Sequence, residues 1–176
     1  MNDASDIHHD SGNVEWFTPV EIIEAARATM GGIVLDPFSC AEANETVGAS
    51  NYFTKEQDGL KQEWFGNVWM NHPYGRTTNG PCIQKALAEF ASGRVKQLCC
   101  ITYASTTERW FRPLMQFPQC FFHRRTAFRE PGGRTISGAK KGCAVTYMGP
   151  HLDRFAANFA PFGTIKVPYL TARDFI

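Results

Sequence analysis

The stretch from Val95 to Tyr103 (VKQLCCITY) constrains the fold more than any other part of this chain. Its apolar residues run together instead of alternating with polar ones. A strand of that kind is covered on both faces, which places it in the centre of a sheet and favours parallel neighbours. The segment before it has helical spacing, with Ile83, Ala86, Leu87 and Phe90 on one apolar face and a stop near Gly93. Helix followed by buried strand is the repeating unit of an α/β sheet.

The rest of the chain extends this alternation. Thr18-Pro19-Val20-Glu21 reads as a capping box with proline at the first helical position. Val20, Ile23, Ala26 and Arg27 to Met30 follow at helical spacing, and Gly31-Gly32 ends that helix. Ile33-Val34-Leu35 is a buried strand stopping at Asp36-Pro37, Asn51 to Thr54 a second, and Asn67 to Met70 a third. Thr106 to Phe117 is predicted as a helix. Beyond it the pattern becomes hairpin-like, with strands at Cys120 to His123, Thr126 to Phe128 and Cys143 to Tyr147, a helix at Leu152 to Phe159 and a last strand near Ile165 to Val167. The expectation is a mostly parallel α/β sheet with an antiparallel edge, formed by residues 14–176 as one domain behind a flexible segment 1–13.

Composition excludes several classes. A length of 176 residues with 43% hydrophobic and 20% charged side chains suits one globular domain. No apolar run reaches membrane-spanning length, and the polar start MNDASDIHHD does not resemble a signal peptide, so no membrane partner and a cytoplasmic location are expected. The 6 cysteines lack CxxC pairing and form no ligand pattern with the 5 histidines, so reduced, buried thiols and no metal are expected. Net charge is only +1, but the distribution is uneven. Acids gather in the first third, whereas Arg124, Arg125, Arg129, Arg134, Lys140 and Lys141 face a single acid, Glu130. A solvated loop and a phosphate-binding loop both fit that cluster.

Asn71-His72-Pro73-Tyr74 follows a buried strand, at the carboxyl end where open α/β sheets bind ligands. An exocyclic amine on an aromatic base is a poor nucleophile because its lone pair is delocalised into the ring. An amide oxygen and a main-chain carbonyl that accept its two hydrogens localise that lone pair. Proline restrains the backbone and an aromatic ring stacks on the base. Asn71, the His72 carbonyl, Pro73 and Tyr74 supply these parts, although the same four residues also make an ordinary polar turn.

Their neighbours carry a resemblance. Glu15 to Pro19, Leu35 to Asn44, Asp58-Gly59-Leu60, Val68 to Arg76, Ala104 to Phe111 and Arg125 to Phe128 together resemble the phage-type DNA N6-adenine methyltransferase family, over about Glu15 to Phe162. The resemblance implies a Rossmann-like fold, S-adenosylmethionine as methyl donor and DNA as partner. Trp16, Phe17, Thr18 and Pro19 are similar to the segment contacting the methionine part of the cofactor. Asp36-Pro37-Phe38-Ser39 resembles the loop that cradles it, with Asp36 facing the ammonium. Asp58 resembles the acid accepting from the cofactor's adenine amine, though on its own it reads as an Asp-Gly turn. Asn71 would border both cofactor and base.

The resemblance also turns the basic stretch into a DNA-facing loop, with Arg76, Arg124, Arg125, Phe128, Arg129, Arg134, Lys140 and Lys141 expected to hold a strand whose target nucleotide is flipped out. The family's usual motif has a second proline where this chain has His72. Pro73 still steers His72 to extended geometry, so retained but slowed chemistry is expected. Three alternatives remain at this stage: a DNA-binding relict of the same fold, a glutamine acceptor, and other base amines such as guanine or cytosine N4.

Overall fold

The computed structural model describes residues 16–132 and 141–169. Along the chain come α1 (Val20–Met30), β1 (Leu35–Asp36), α2 (Ala41–Val47), β2 (Asn51–Tyr52), β3 (Gly66–Met70), α3 (Asn79–Ala91), β4 (Val95–Tyr103), a 3-10 helix (Arg112–Gln116), β5 (Gln119–Phe122), β6 (Cys143–Met148), α4 (Leu152–Phe159) and β7 (Gly163–Lys166). The expected segment 1–13 lies outside the described residues.

The strands form one sheet of order β2-β1-β3-β4-β6-β5-β7. β1 pairs in parallel with β2 and β3, and β3 with β4; β4–β6, β6–β5 and β5–β7 are antiparallel. Five strands therefore point one way, and only β6 and β7 oppose them. This is the expected Rossmann-like sheet with antiparallel strands at one side.

β4 is central because both of its faces are needed for packing. Cys99 and Ile101 join Trp69 of β3 and Val145 of β6 in a core beneath Ile22, Ile23 and Ala26 of α1 and Phe155 and Phe159 of α4. Leu98 and Cys100 face the other way, toward Val68, Met70, Ile83, Ala86, Phe111 and Leu114. The two-residue period of the strands thus feeds two cores, one on each side of the sheet. The thiols of Cys82, Cys99, Cys100, Cys120 and Cys143 are buried in these layers, and Cys40 is partly buried.

Three local expectations change. Thr18 does not cap α1: Pro19 occupies the cap position, with no side-chain cap bond, because the Thr18 hydroxyl accepts from Asn71 instead. The predicted helix from Thr106 to Phe117 is a series of turns ending in the 3-10 helix. Pro113, with no main-chain N–H, sits inside that segment. Thr126 to Phe128 is not a strand, and the only ladder contact nearby is the isolated bridge between Phe17 and Arg129.

Sheet polarity sets up the functional end. β1 finishes at Asp36, β3 delivers Asn71, and β4 finishes at Tyr103, all at one edge of the sheet. β6 begins opposite Tyr103, with Tyr103 paired to Cys143. The long connection from β5 to β6, which carries the basic residues, therefore leaves and re-enters the sheet at that same edge.

Candidate active site

A cavity of about 610 Å³ opens at the carboxyl ends of β1 and β3. Its wall includes Trp16, Phe17 and Thr18, the loop Asp36-Pro37-Phe38-Ser39, Asp58, and Asn71-His72-Pro73. Sequence reasoning placed all of these at a site. It missed Cys40 and Thr78, at the cap positions of α2 and α3, Ala43 and Val47 of α2, Thr54 to Glu56 after β2, and Cys82 of α3. α2 is short and polar, which leaves little amphipathic period to detect. Pro19 is buried at the head of α1, away from the wall.

Asn71 is held by its amide nitrogen. Nδ2 donates to the Trp16 carbonyl and, at 3.2 Å, to Thr18 Oγ1. A main-chain carbonyl can only accept, so the carboxamide must turn its nitrogen toward Trp16. Oδ1, the acceptor, has no donor among the described residues, and Asn71 lines the cavity.

Asp36 is 3% exposed. Burial pushes its carboxyl up to about 7, opposed by the Phe38 N–H, which donates to Oδ1 at 3.1 Å, and by the nearby Ser39 hydroxyl. Ser39 Oγ is close enough to favour the ionised form but makes no bond of hydrogen-bond geometry and is itself buried without a partner. A buried carboxyl beside an unpartnered hydroxyl is a receptor for a cationic or donor-bearing ligand.

Asp58 sits in the left-handed region at φ 55, and its Oδ1 accepts from the Leu60 N–H at 3.2 Å. Its Oδ2 pairs with Lys61 at 3.0 Å, and that partner holds the carboxyl below its usual range. The turn is locked to the β1 loop at Gly59, where a Cβ would lie 1.9 Å from the Pro37 carbonyl oxygen.

Tyr74 lies behind the wall. Its hydroxyl donates to the Ile101 carbonyl at 3.2 Å, and its ring packs on Tyr103 with centroids 4.6 Å apart. Phe128, expected among the DNA contacts, is a correction. It is 3% exposed and wedged against Trp16 and Tyr74, because this apolar ring completes the core under the site. Arg76, Arg124, Arg125, Arg129 and Lys141 are exposed, and Lys141 Nζ stands 5.9 Å from the Tyr103 ring centroid. Arg129 also exchanges main-chain hydrogen bonds with Phe17 at 2.8 and 3.0 Å, which ties the basic connection to the cavity wall. Arg134 and Lys140 lie outside the described residues. Among the described residues no group of three or more His, Cys, Asp or Glu is arranged to hold a metal ion, and no helix is long and apolar enough to cross a membrane.

A cavity at the carboxyl edge of this sheet, bordered by an acid after the first strand and an amide after the third, fits the Rossmann-like methyltransferase fold. The sequence model of the DNA N-6-adenine-methyltransferase (Dam) family matches residues 5–143, and the chain belongs to that family. It is an enzyme of the class that methylates adenine N6 in DNA, which favours that acceptor over guanine, cytosine N4 or glutamine. No curated protein matches the chain.

Proposed function

We propose that the cavity takes S-adenosylmethionine and that Asn71 Oδ1 and the His72 carbonyl activate the adenine amine beside it. The observation that carries this reading is the orientation of Asn71, whose two N–H groups are spent on Trp16 and Thr18. When bound, S-adenosylmethionine supplies an electrophilic methyl group.

The residues fit that cofactor. A volume of about 610 Å³ is within the range of nucleotide-sized ligand sites. Asp36 supplies a buried carboxylate for an ammonium, and Ser39 Oγ a buried hydroxyl in need of a partner. Asp58 borders the same space and accepts from an adenine amine alongside its contact to Leu60.

On the acceptor side, Asn71 Oδ1 takes one hydrogen of the target amine and the His72 carbonyl the other. The lone pair is drawn out of conjugation with the ring, so that the nitrogen would accept the methyl group as the donor's carbon–sulfur bond breaks, the sulfur leaving as a neutral thioether and the surplus proton passing to water. Tyr74, anchored by Ile101 and Tyr103 behind the wall, backs the acceptor segment against which the extruded base would sit. Arg76, Arg124, Arg125, Arg129 and Lys141 hold the phosphates around it.

Purified protein incubated with S-adenosylmethionine and mixed-sequence DNA, followed by digestion to nucleosides, is expected to yield the N6-methylated adenine nucleoside. Calorimetry is expected to show cofactor binding that Asp36→Ala removes. Product without measurable binding, or binding indifferent to Asp36, contradicts the assignment of the cavity.

A further inference from the structure

The segment after Asn71 carries contacts that the acceptor chemistry does not use. His72 is 2% exposed, and its ring stands edge-on to Tyr74 with centroids 5.3 Å apart. Its Nε2 lies 3.0 Å from Asn79 Oδ1 at the start of α3. The same Oδ1 accepts the Gly75 main-chain N–H at 3.2 Å, which identifies it as the carboxamide oxygen. His72 Nε2 must then carry the proton, and Nδ1 is a bare acceptor, buried without a partner. Next to this contact, Thr78 Oγ1 donates to the Pro73 carbonyl at 2.7 Å.

We propose that the His72 imidazole and Asn79 form a positioning pair that locks the backbone of the acceptor segment onto α3, keeping the His72 carbonyl in place as second acceptor. The inference rests on the acceptor roles assigned above to Asn71 and that carbonyl. Pro73 restricts the preceding residue to extended geometry, but φ of His72 is left free by its own chemistry. The ring removes that freedom from the side-chain end. Burial reinforces the arrangement by keeping the imidazole neutral, its pKa lowered to about 4. The His72 N–H donates to no main-chain acceptor among the described residues. A proline at this position would therefore restrain φ directly and lose no main-chain bond.

The test is steady-state kinetics at saturating cofactor and DNA. His72→Ala and Asn79→Ala are each expected to lower kcat about tenfold or more, with KM for DNA and cofactor affinity within about threefold of the parent, since misplacement of a reacting group acts on the chemical step. The double variant is expected to fall no further than the worse single one, because both changes remove one contact. His72→Pro is expected to recover most of the kcat lost in His72→Ala.

A kcat for His72→Ala within about twofold of the parent overturns the proposal, as do losses that multiply in the double variant or a defect confined to KM. So does a His72→Pro variant no better than His72→Ala. Should His72→Ala not fold, Asn79→Ala and the imidazole ¹⁵N spectrum of the unaltered protein carry the test. The spectrum is expected to show Nε2 protonated and Nδ1 bare, and the opposite tautomer refutes the pair. If Asn71→Ala leaves methylation intact, the acceptor reading itself fails. If Asn71→Ala abolishes it while His72→Ala does not lower kcat, only the positioning pair fails.

Discussion

Asn71 donates from its side-chain nitrogen to the main-chain carbonyl of Trp16, a contact between residues 55 positions apart that fixes which end of the amide is spent inside the protein. The same strap, Trp16 to Thr18, lines the cavity and pairs through Phe17 with Arg129 of the basic connection. One short segment thus touches Asn71, the cavity and the basic connection.

Asn71→Ala is expected to lower kcat by about a hundredfold or more, comparable to removing one preorganised hydrogen-bonding group from a transition state. Cofactor affinity should change little, because the alanine still completes the wall. Thr18→Val removes only the weaker of the two anchors on Nδ2, and a loss of several-fold is expected. Turnover assays paired with calorimetry check both.

Asp36 predicts a pH dependence of opposite sign for binding and stability. Its folded pKa of about 7 lies above the ordinary value of 3.8, so the stabilisation it allows is fully present below pH 3.8 and lost as pH rises through 7. Asp36→Asn should therefore raise the melting temperature of the ligand-free protein at pH 8, by roughly 2–4 kcal/mol of stability, and have no such effect near pH 4. Cofactor binding should behave the other way, weakening in the parent as pH falls below 7 and absent in Asp36→Asn. Thermal melts and titrations across pH 5 to 9 separate the two.

Gly59→Ala places a Cβ where the Pro37 carbonyl oxygen already sits, 1.9 Å away. The Asp58 turn and the β1 loop must part, so a loss of more than about 2 kcal/mol of stability is expected. Cofactor affinity should fall with it, since both loops wall the cavity. Chemical denaturation and calorimetry measure the two effects.

Phe128→Ala and Arg124→Ala lie on one connection and should behave differently. Phe128 is buried against Trp16 and Tyr74, so its truncation is expected to cost about 3–5 kcal/mol of stability. Arg124 is exposed, so its loss should weaken DNA binding across sequences and reduce the salt slope by about 1, with the melting temperature nearly unchanged. DNA titrations at several salt concentrations distinguish phosphate contact from packing.

Much of this was legible before the fold. The run Val95 to Tyr103 announced a central strand, because a segment with no polar face has to be covered twice. The approach to Asn71 was legible for a related reason: Val68 to Met70 is an apolar stretch ending abruptly in polar turn residues. Other features had no local signal. Arg112 to Gln116 has apolar residues near helical spacing, yet Pro113 and packing of Phe111 and Leu114 under the sheet leave it a 3-10 turn. α2 was hidden by its polarity, and Phe128 looked like part of a basic loop until the core closed over it.

The sequence alone determined the alternation of strands and helices, the central place of β4 and the positions of Asp36 and Asn71 at strand ends, because burial periodicity and chain direction are local properties. Only the tertiary structure decided that Thr18 serves Asn71 instead of capping α1, that Phe128 faces inward, and that His72 is clamped by Asn79. Those outcomes depend on which unsatisfied hydrogen-bonding group or apolar ring meets which partner once the chain has closed on itself.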